Sequence, residues 1–192
     1  MAGVPKILAL AGSLRRYSHN KKVVKVAAEG ARKAGAEVTY IDLKDYPMPL
    51  YDDDLIEENG FDEHAARFQQ LLLAHDGLLI CSPEYNGSVP GGLKNAIDWA
   101  SRANGEMRMN AAFRGKVAAI MSASPGGFGG IRCLSHLRGI LSVMGVHVLP
   151  AEFAVGKAHE GFDDNGIFRD EKMHQTIEKH GANVAEMLKM LR

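Results

Sequence analysis

Residues 6–20 read KILALAGSLRRYSHN. After Lys6 the run is apolar up to Ala11, which is typical of a strand with both faces covered, and it stops at Gly12. Hydroxyl, amide and guanidinium side chains crowd residues 13–20, and a helical pattern starts at Asn20. A buried strand, a polar loop and a helix in this order form the first unit of an α/β fold.

The same alternation continues along the whole chain. Strands are predicted at 6–11, 37–43, 77–81, 117–122 and 146–149, and helices at 20–34, 61–74, 91–103, 130–144 and 171–191. Residues 44–60 are interpreted as a loop, and Asp164-Asn165-Gly166 as the turn of a small hairpin. The pattern predicts one domain over residues 1–192, with a parallel sheet covered by helices on both faces.

Composition excludes several classes of protein. The chain has 23 Lys and Arg against 23 Asp and Glu, so it lacks the basic surface that non-specific nucleic-acid binding needs. No apolar stretch approaches the roughly 18 residues that span a membrane. Cys81 and Cys133 form no CxxC motif, so we expect two buried structural thiols and a cytoplasmic protein.

Three unusual loops follow predicted strands one, three and four. They read GSLRRYSHN (12–20), SPEYNGSVPGG (82–92) and SASPGGFGG (122–130). In a doubly covered parallel sheet, ligands bind beyond the carboxyl ends of the strands, where the strand order reverses. We therefore expect these three loops to form one binding site.

The first loop has the donors that a phosphate needs. It leads into a helix N-terminus, which favours an anion, and Arg15 or Arg16 can add a charge. Neutral donors come from Ser13, Ser18 and Asn20. Neither G-x-G-x-x-G nor a Walker G-K-[ST] is present, so a monophosphate is favoured over a pyrophosphate. The alternative is a capped turn with two solvated arginines.

The second loop suits a flat heterocycle. Pro83 ends the strand, Tyr85 and Asn86 sit at the tip, and three glycines leave backbone bare for polar contacts with a ring. The alternative is an ordinary strand–loop–helix unit whose helix carries a Lys94–Asp98 pair. The third loop is glycine-rich and by itself is only a weak indication.

A monophosphate on the first loop and a flat polar ring between the other two describe FMN. The strings GSLRRYSHN, PEYNGSVPGGLKNAIDW and SASPGG closely resemble the NAD(P)H-dependent FMN reductase family, over essentially the whole chain. That family includes bacterial chromate, quinone and azo-dye reductases. The resemblance implies a flavodoxin-like three-layer sandwich, with a five-stranded parallel sheet in the order 2-1-3-4-5.

The resemblance also implies roles for individual residues. The FMN phosphate would be held by Ser13, Arg15, Ser18 and Asn20. The isoalloxazine would be lined, mainly through backbone, by Pro83, Glu84, Tyr85 and Asn86, and closed on its other side by Ser122, Ser124, Gly126 and Gly127. A homodimer or homotetramer with flavin sites near the subunit contacts is implied as well.

The expected activity is FMN-dependent oxidation of NADH or NADPH, with quinones, chromate, ferric chelates or azo dyes as acceptors. We expect ping-pong turnover, because nicotinamide and acceptor need the same open face of the ring. The flavin carries the chemistry, so no protein residue is assigned as catalytic. The rival hypotheses are a flavodoxin-type electron carrier, against which the neutral net charge argues, and a flavin-binding regulatory module.

Other candidate sites are set aside. Asp52-Asp53-Asp54 is interpreted as a solvated loop, and the eight histidines show no metal-ligand spacing. No G-x-S-x-G motif presents a serine nucleophile. We expect His136 on the surface or in the core, and Trp99 in the core or at an interface.

Overall fold

Five parallel strands form the centre of the molecule. The structure is a computed structural model that describes residues 3–163 and 166–191. The strands are β1 (Lys6–Ala11), β2 (Glu37–Asp42), β3 (Gly77–Cys81), β4 (Val117–Ala123) and β5 (His147–Val155). The helices are α1 (His19–Lys33), α2 (Asp53–Asn59), α3 (Glu63–Leu73), α4 (Gly91–Ser101), α5 (Ile131–Val143) and α6 (Glu171–Met190).

The strand order is β2-β1-β3-β4-β5, which confirms the predicted flavodoxin-like sheet. Ala11, at the end of β1, lies opposite both Asp42 and Cys81, and Cys81 lies opposite Met121. The carboxyl ends of β1, β3 and β4 therefore meet at one edge. The strand order reverses at β1, because β2 lies on one side of it and β3 on the other, so a crevice opens between the loops that follow β1 and β3.

Helices cover both faces of the sheet. Alternate side chains of β1, β3 and β4 pack against α1 and α6, and the intervening ones pack against α3, α4 and α5. Every residue of β3 and β4 is buried, because each of these strands is central and covered on both sides. This burial accounts for the continuous apolar runs in the sequence.

The segment at residues 44–60 departs from the prediction. It was expected to be a loop, but it contains α2, so the described residues hold six α-helices where five were predicted. Asp52 caps α2 by accepting a hydrogen bond from the Asp54 N–H at 3.0 Å, and Gly60, at φ 78°, ends it. No residue of α2 is buried, so the sequence has no apolar periodicity that could reveal this helix.

The fifth strand is longer than predicted. It runs from His147 to Val155 and passes through Pro150, with a register shift against β4 between Ala118 and Ile120. Proline is tolerated because β5 is an edge strand. Beyond it, Phe162 and Phe168 form an antiparallel bridge around the predicted hairpin turn, of which Asp164 and Asn165 lie outside the described residues.

Two further expectations, those for the cysteines and for Trp99, are confirmed. Cys81 and Cys133 are free, buried thiols. Trp99 is buried, and its Nε1 donates a hydrogen bond to the Pro49 carbonyl at 2.8 Å. Across residues 3–163 and 166–191, no helix has the length and apolar character to cross a membrane.

Candidate functional site

The three loops meet around one cavity of about 130 Å³ at the carboxyl edge of the sheet. Eight of the twelve predicted site residues line it: Ser13, Arg15, Ser18, Asn20, Pro83, Glu84, Tyr85 and Ser124. His19, Ala123 and Pro125 complete the lining. The convergence expected from the strand order is therefore present in the structure.

The first loop places hydroxyls beside a helix N-terminus. Ser18 is the N-cap of α1, and its Oγ accepts a hydrogen bond from the Asn20 N–H at 3.2 Å. Ser13 Oγ accepts from the Arg15 N–H at 3.3 Å. Both serines are nearly buried, and each still has a hydroxyl proton to donate to an anion in the cavity.

The two arginines of this loop differ in position. The exposed Arg15 side chain lines the cavity, and its guanidinium has no hydrogen bond or ion pair with any residue that the structure describes. The Arg16 guanidinium carbon lies 5.3 Å from the centre of the Tyr17 ring and faces a separate groove that also contains Lys22 and Lys25. Arg15 is therefore the cation of this loop that belongs to the site.

Asn20 holds the site together. Its Nδ2 donates to the Ala123 carbonyl at 2.8 Å, and its Oδ1 accepts from the Ala123 N–H at 2.9 Å. The Cys81 thiol donates to the same Oδ1 at 3.1 Å. Most of the hydrogen-bonding capacity of the Asn20 amide is thus used to join α1 to β3 and β4.

The second loop presents Tyr85 on a tight turn. Tyr85 and Ser88 exchange backbone hydrogen bonds of 2.9 and 3.1 Å around Asn86 and Gly87. Asn86, at φ 52°, and Gly87, at φ 79°, are both in the left-handed region, as a type I′ turn requires. The Tyr85 side chain remains 55% exposed at the edge of the cavity.

The Glu84 side chain turns towards α5. Its carboxylate accepts from Arg132 Nε at 2.7 Å and from the backbone N–H of Arg132 at 3.1 Å. The Arg132 guanidinium beside Glu84 holds the pKa of that carboxyl below its usual value. Glu84 therefore caps the first turn of α5 as a carboxylate, and its backbone is the part available to a ligand.

In the third loop the two predicted serines differ. Ser124 lines the cavity, and its Oγ accepts from the Gly126 N–H at 3.1 Å. Ser122 is fully buried on β4, in contact with α5: the Cys133 thiol donates to its Oγ at 3.7 Å. A side chain at Gly130 would come within 2.1 Å of that oxygen. The side chain of Ser122 therefore supports α5 and does not face the cavity.

The remaining predicted residues lie outside the lining of this cavity. Asn86 is exposed at the tip of its turn, and Gly126 and Gly127 are exposed in the third loop. Gly127 is held by a close approach to the segment after β5, since a Cβ at Gly156 would lie 2.4 Å from the Gly127 carbonyl oxygen. Their roles towards a ring remain predictions.

His19 is the lining residue with titratable chemistry that sequence reasoning missed. It stands between Ser18 and Asn20, two residues that were singled out, so its place in the motif is the signal that could have found it. Burial, followed by the positive charges of Lys22, Arg15 and His159, lowers its pKa. Ala123 and Pro125 carry no such chemistry, and only their place in the fold brings them to the cavity.

The part of the chain that the structure describes contains no candidate metal site. Across residues 3–163 and 166–191, no group of three or more His, Cys, Asp or Glu side chains is arranged to hold a metal ion. His136, which was set aside, is exposed, and its Nδ1 lies 2.9 Å from Ser88 Oγ.

Solved structures and known proteins resemble this chain along nearly all its length. FerB, a flavoenzyme NAD(P)H:(acceptor) oxidoreductase from Paracoccus denitrificans, superimposes with a TM-score of 0.81 at 29% identity, covering 97% of this chain and 98% of that one. An NAD(P)H-dependent FMN reductase of Pseudomonas aeruginosa is 38% identical over 175 residues, 91% of this chain and 90% of that protein.

Two further comparisons agree. An NAD(P)H:quinone oxidoreductase of Solanum tuberosum is 35% identical over 184 residues, 92% of this chain and 90% of that protein. The family model described as NADPH-dependent FMN reductase matches residues 5–160. Together with the sheet order and the three converging loops, this match assigns the chain: it belongs to the NADPH-dependent FMN reductase family.

Proposed function

We propose that this protein is an FMN-dependent oxidoreductase that takes electrons from NADH or NADPH and delivers them to quinones. The observation that carries the proposal is the cavity at the start of α1, which is lined by the hydroxyls of Ser13 and Ser18 and by Arg15, whose guanidinium forms no ion pair within residues 3–163 and 166–191. Membership of the family and the names of the relatives from Pseudomonas aeruginosa and Solanum tuberosum support it.

The residues present fit the terminal phosphate of FMN. A phosphate monoester carries a charge of about −1.5 to −2 at neutral pH, and a helix N-terminus with a free guanidinium and two hydroxyls stabilises such a charge. A buried nitrogen, His19 Nδ1, also lacks a hydrogen-bond partner within the described part of the chain. The exposed Tyr85 and the Pro83–Gly87 backbone supply a surface for the flat ring.

FMN, when bound, supplies the chemistry of accepting hydride from nicotinamide and passing electrons to an acceptor. The protein itself binds, orients and excludes water. Glu84 is held as a carboxylate by Arg132, so it has no proton to give. Burial raises the pKa of the Cys81 and Cys133 thiols, so neither is a ready thiolate nucleophile. These side chains therefore act as structure, in keeping with a site whose cofactor carries the reaction.

Quinones are the acceptor class that the relatives support best. Besides the Solanum tuberosum enzyme, a protein of Burkholderia sp., 37% identical over 174 residues, is named 2-hydroxy-1,4-benzoquinone reductase. A site that recognises its acceptor by shape and stacking reads little chemical detail. We therefore extend the proposal to chromate, ferric chelates and azo dyes.

Turnover is proposed to be ping-pong. If the second and third loops cover one face of a bound ring, nicotinamide and acceptor would compete for the other face, and the first would have to leave before the second binds. Steady-state rates at several fixed quinone concentrations should then give parallel double-reciprocal lines. Intersecting lines would require both substrates to be bound together and would contradict this part of the proposal.

A homodimer or homotetramer in the cytoplasm completes the proposal. Phe128 and Ile131, next to each other at the start of α5, are 76% and 51% exposed, which supports a subunit contact at this end of the helix. Light scattering that finds only monomer at micromolar concentration would refute the oligomer. The two free buried thiols, Cys81 and Cys133, support a reducing compartment.

Mass spectrometry of the cofactor released from purified protein tests the assignment of FMN. The proposal predicts FMN, because the first loop has donors for a single phosphate. Release of FAD would overturn it, and so would a protein that binds no flavin when FMN is supplied. A panel of quinone, chromate, ferric chelate and azo dye with both nicotinamides then identifies the acceptor. Oxidation of neither nicotinamide with any acceptor would refute the enzymatic proposal.

A further inference from the structure

His19 occupies a fixed place at the edge of the cavity. It is the first residue of α1, and its imidazole lies nearly parallel to the Phe162 ring, with centroids 6.1 Å apart and planes at 13°. Phe162 packs in turn on Phe168, at a centroid distance of 4.4 Å, in the segment that follows β5. This stack keeps the imidazole beside Ser13 and Ser18, which line the same cavity.

One nitrogen of this imidazole lacks a partner. Nδ1 is buried, and no residue in the described part of the chain forms a hydrogen bond with it. Leaving a buried polar atom without a hydrogen bond is unfavourable, so such an atom in a folded protein requires an explanation. A ligand oxygen in the cavity would supply the missing partner.

The charges around His19 are arranged for an anion. Arg15 faces it from the first loop, Lys22 from its own helix and His159 from the segment after β5. His159 also lies 3.1 Å from the Glu160 carboxylate. Burial, followed by the charges of Lys22 and Arg15, lowers the pKa of the imidazole and so favours its neutral form. A phosphate dianion reverses this balance, because it attracts the proton that the cations repel.

We propose that His19 is a ligand of the FMN phosphate and that phosphate binding draws a proton from solvent onto its imidazole. The proposal rests on the function proposed above, since it takes FMN to be the occupant. It assigns to His19 a charge-assisted hydrogen bond that complements those from Arg15 and the loop hydroxyls.

The test is titration of FMN into flavin-free protein by calorimetry, in buffers of different ionisation enthalpy. At about pH 7.5 the phosphate is already dianionic, because its second pKa is about 6, so any proton taken up belongs to the protein. Wild type should take up a substantial fraction of one proton. His19→Phe, which preserves the stack on Phe162, should take up none and bind FMN about ten-fold more weakly near pH 6.5.

His19→Asn separates the charge from the hydrogen bond. Asparagine retains a neutral donor close to the position of Nδ1 but cannot be protonated. Its affinity for FMN should therefore be independent of pH between about pH 6.5 and 8.5, where the affinity of wild type falls as pH rises. His147→Asn is the matched control, because this exposed histidine lies at the start of β5, at the opposite edge of the sheet. It should behave as wild type.

Riboflavin has no phosphate, so its binding shows whether an effect of a substitution depends on the phosphate. It also shows whether the variants are folded. Wild type and His19→Phe should bind it equally and without proton uptake. Equal FMN affinity and equal proton uptake in wild type and His19→Phe would overturn the inference while leaving the proposed function intact. Proton uptake with riboflavin equal to that with FMN would overturn it as well. Failure of wild type to bind FMN at all would instead refute the proposed function, and this inference with it.

Discussion

The side-chain amide of Asn20 is hydrogen-bonded on both sides to the backbone of Ala123, 103 positions later. Nδ2 donates to the carbonyl oxygen at 2.8 Å, and Oδ1 accepts from the N–H at 2.9 Å. Asn20 lies in the first turn of α1, which follows the first loop, and Ala123 ends β4, the strand that leads into the third loop. One side chain thus sets the distance between two of the three loops of the site.

Removing this amide should destabilise the fold. Asn20→Ala leaves the buried N–H and C=O of Ala123 without these partners, so we expect the free energy of unfolding to fall by roughly 2–4 kcal/mol. Urea denaturation measures it. Asn59→Ala is the control, since Asn59 is exposed at the end of α2, and it should change the value by about 0.5 kcal/mol or less. Equal effects of the two substitutions would show that the Asn20 contacts contribute nothing.

The contact between α1 and α6 depends on glycine. A Cβ at Gly181 would lie 1.8 Å from the Ala27 carbonyl oxygen, and one at Gly30 would lie 1.9 Å from the Glu178 carbonyl oxygen. Since backbone cannot move aside cheaply, Gly181→Ala should lower the free energy of unfolding by about 3 kcal/mol or more.

Gly139 provides the matched control for this substitution. It lies within α5, and a Cβ there would meet nothing within 4 Å. Gly139→Ala should raise the free energy of unfolding by roughly 0.5–1 kcal/mol, because alanine loses less backbone entropy in a helix. Thermal or urea unfolding compares the two variants. A stable Gly181→Ala protein would mean that these helices pack less closely than described.

Arg15 and Arg16 should differ in their effect on FMN binding. Arg15 lines the cavity without an ionic partner in the described structure, whereas Arg16 lies over the Tyr17 ring. Losing a charge-assisted hydrogen bond of roughly 1.5–3 kcal/mol predicts that Arg15→Ala binds FMN about ten-fold or more weakly. Arg16→Ala should bind nearly as wild type. Quenching of flavin fluorescence measures both, and equal affinities of wild type and Arg15→Ala would refute the role of Arg15.

His180 should make stability depend on pH. It is buried on α6 with its ring 4.7 Å from that of Phe153, and burial lowers its pKa from 6.5 to about 4. The unfolded chain gains a proton below about pH 6.5 that the folded protein accepts only near pH 4, so stability is lost as pH falls through this window. At about 1.4 kcal/mol per pH unit the loss approaches ~3 kcal/mol.

The variant His180→Phe isolates this contribution. Phenylalanine retains an aromatic ring beside Phe153 but cannot be protonated. The free energies of unfolding of wild type and His180→Phe are measured by urea denaturation at several pH values. Wild type should lose stability relative to the variant as pH falls below about 6.5, and the difference should level off near pH 4. A difference that does not vary with pH would mean that His180 is solvated in the folded protein.

The strands β1, β3 and β4 were predictable because they are buried on both faces and therefore stand out as apolar runs, whereas the order of the strands in the sheet came from the resemblance to the family. The helix α2 was not predictable, because none of its residues is buried and so no apolar periodicity marks it. The edge strand β5 was predicted too short for a related reason, since most of it is only partly buried and it contains Pro150.

The sequence predicted which loops form the site better than it predicted which side chains of those loops line the cavity. Ser13, Arg15 and Ser18 do line one cavity, since the carboxyl ends of the strands bring their loops together. Neighbouring residues in a loop share no periodicity, so the residue pattern alone left Arg15 and Arg16 as alternatives, and only the resemblance to the family selected Arg15. Ser122 is fully buried because it still belongs to β4, which extends to Ala123, one residue beyond its predicted end.

Anaerobic addition of NADPH, and separately of NADH, to FMN-loaded protein tests the proposed function most directly. If the protein is an FMN-dependent oxidoreductase, at least one nicotinamide should abolish the yellow flavin absorbance, and a benzoquinone added afterwards should restore it. Protein that binds FMN yet remains yellow with both nicotinamides would contradict the enzymatic function and would fit an electron carrier instead.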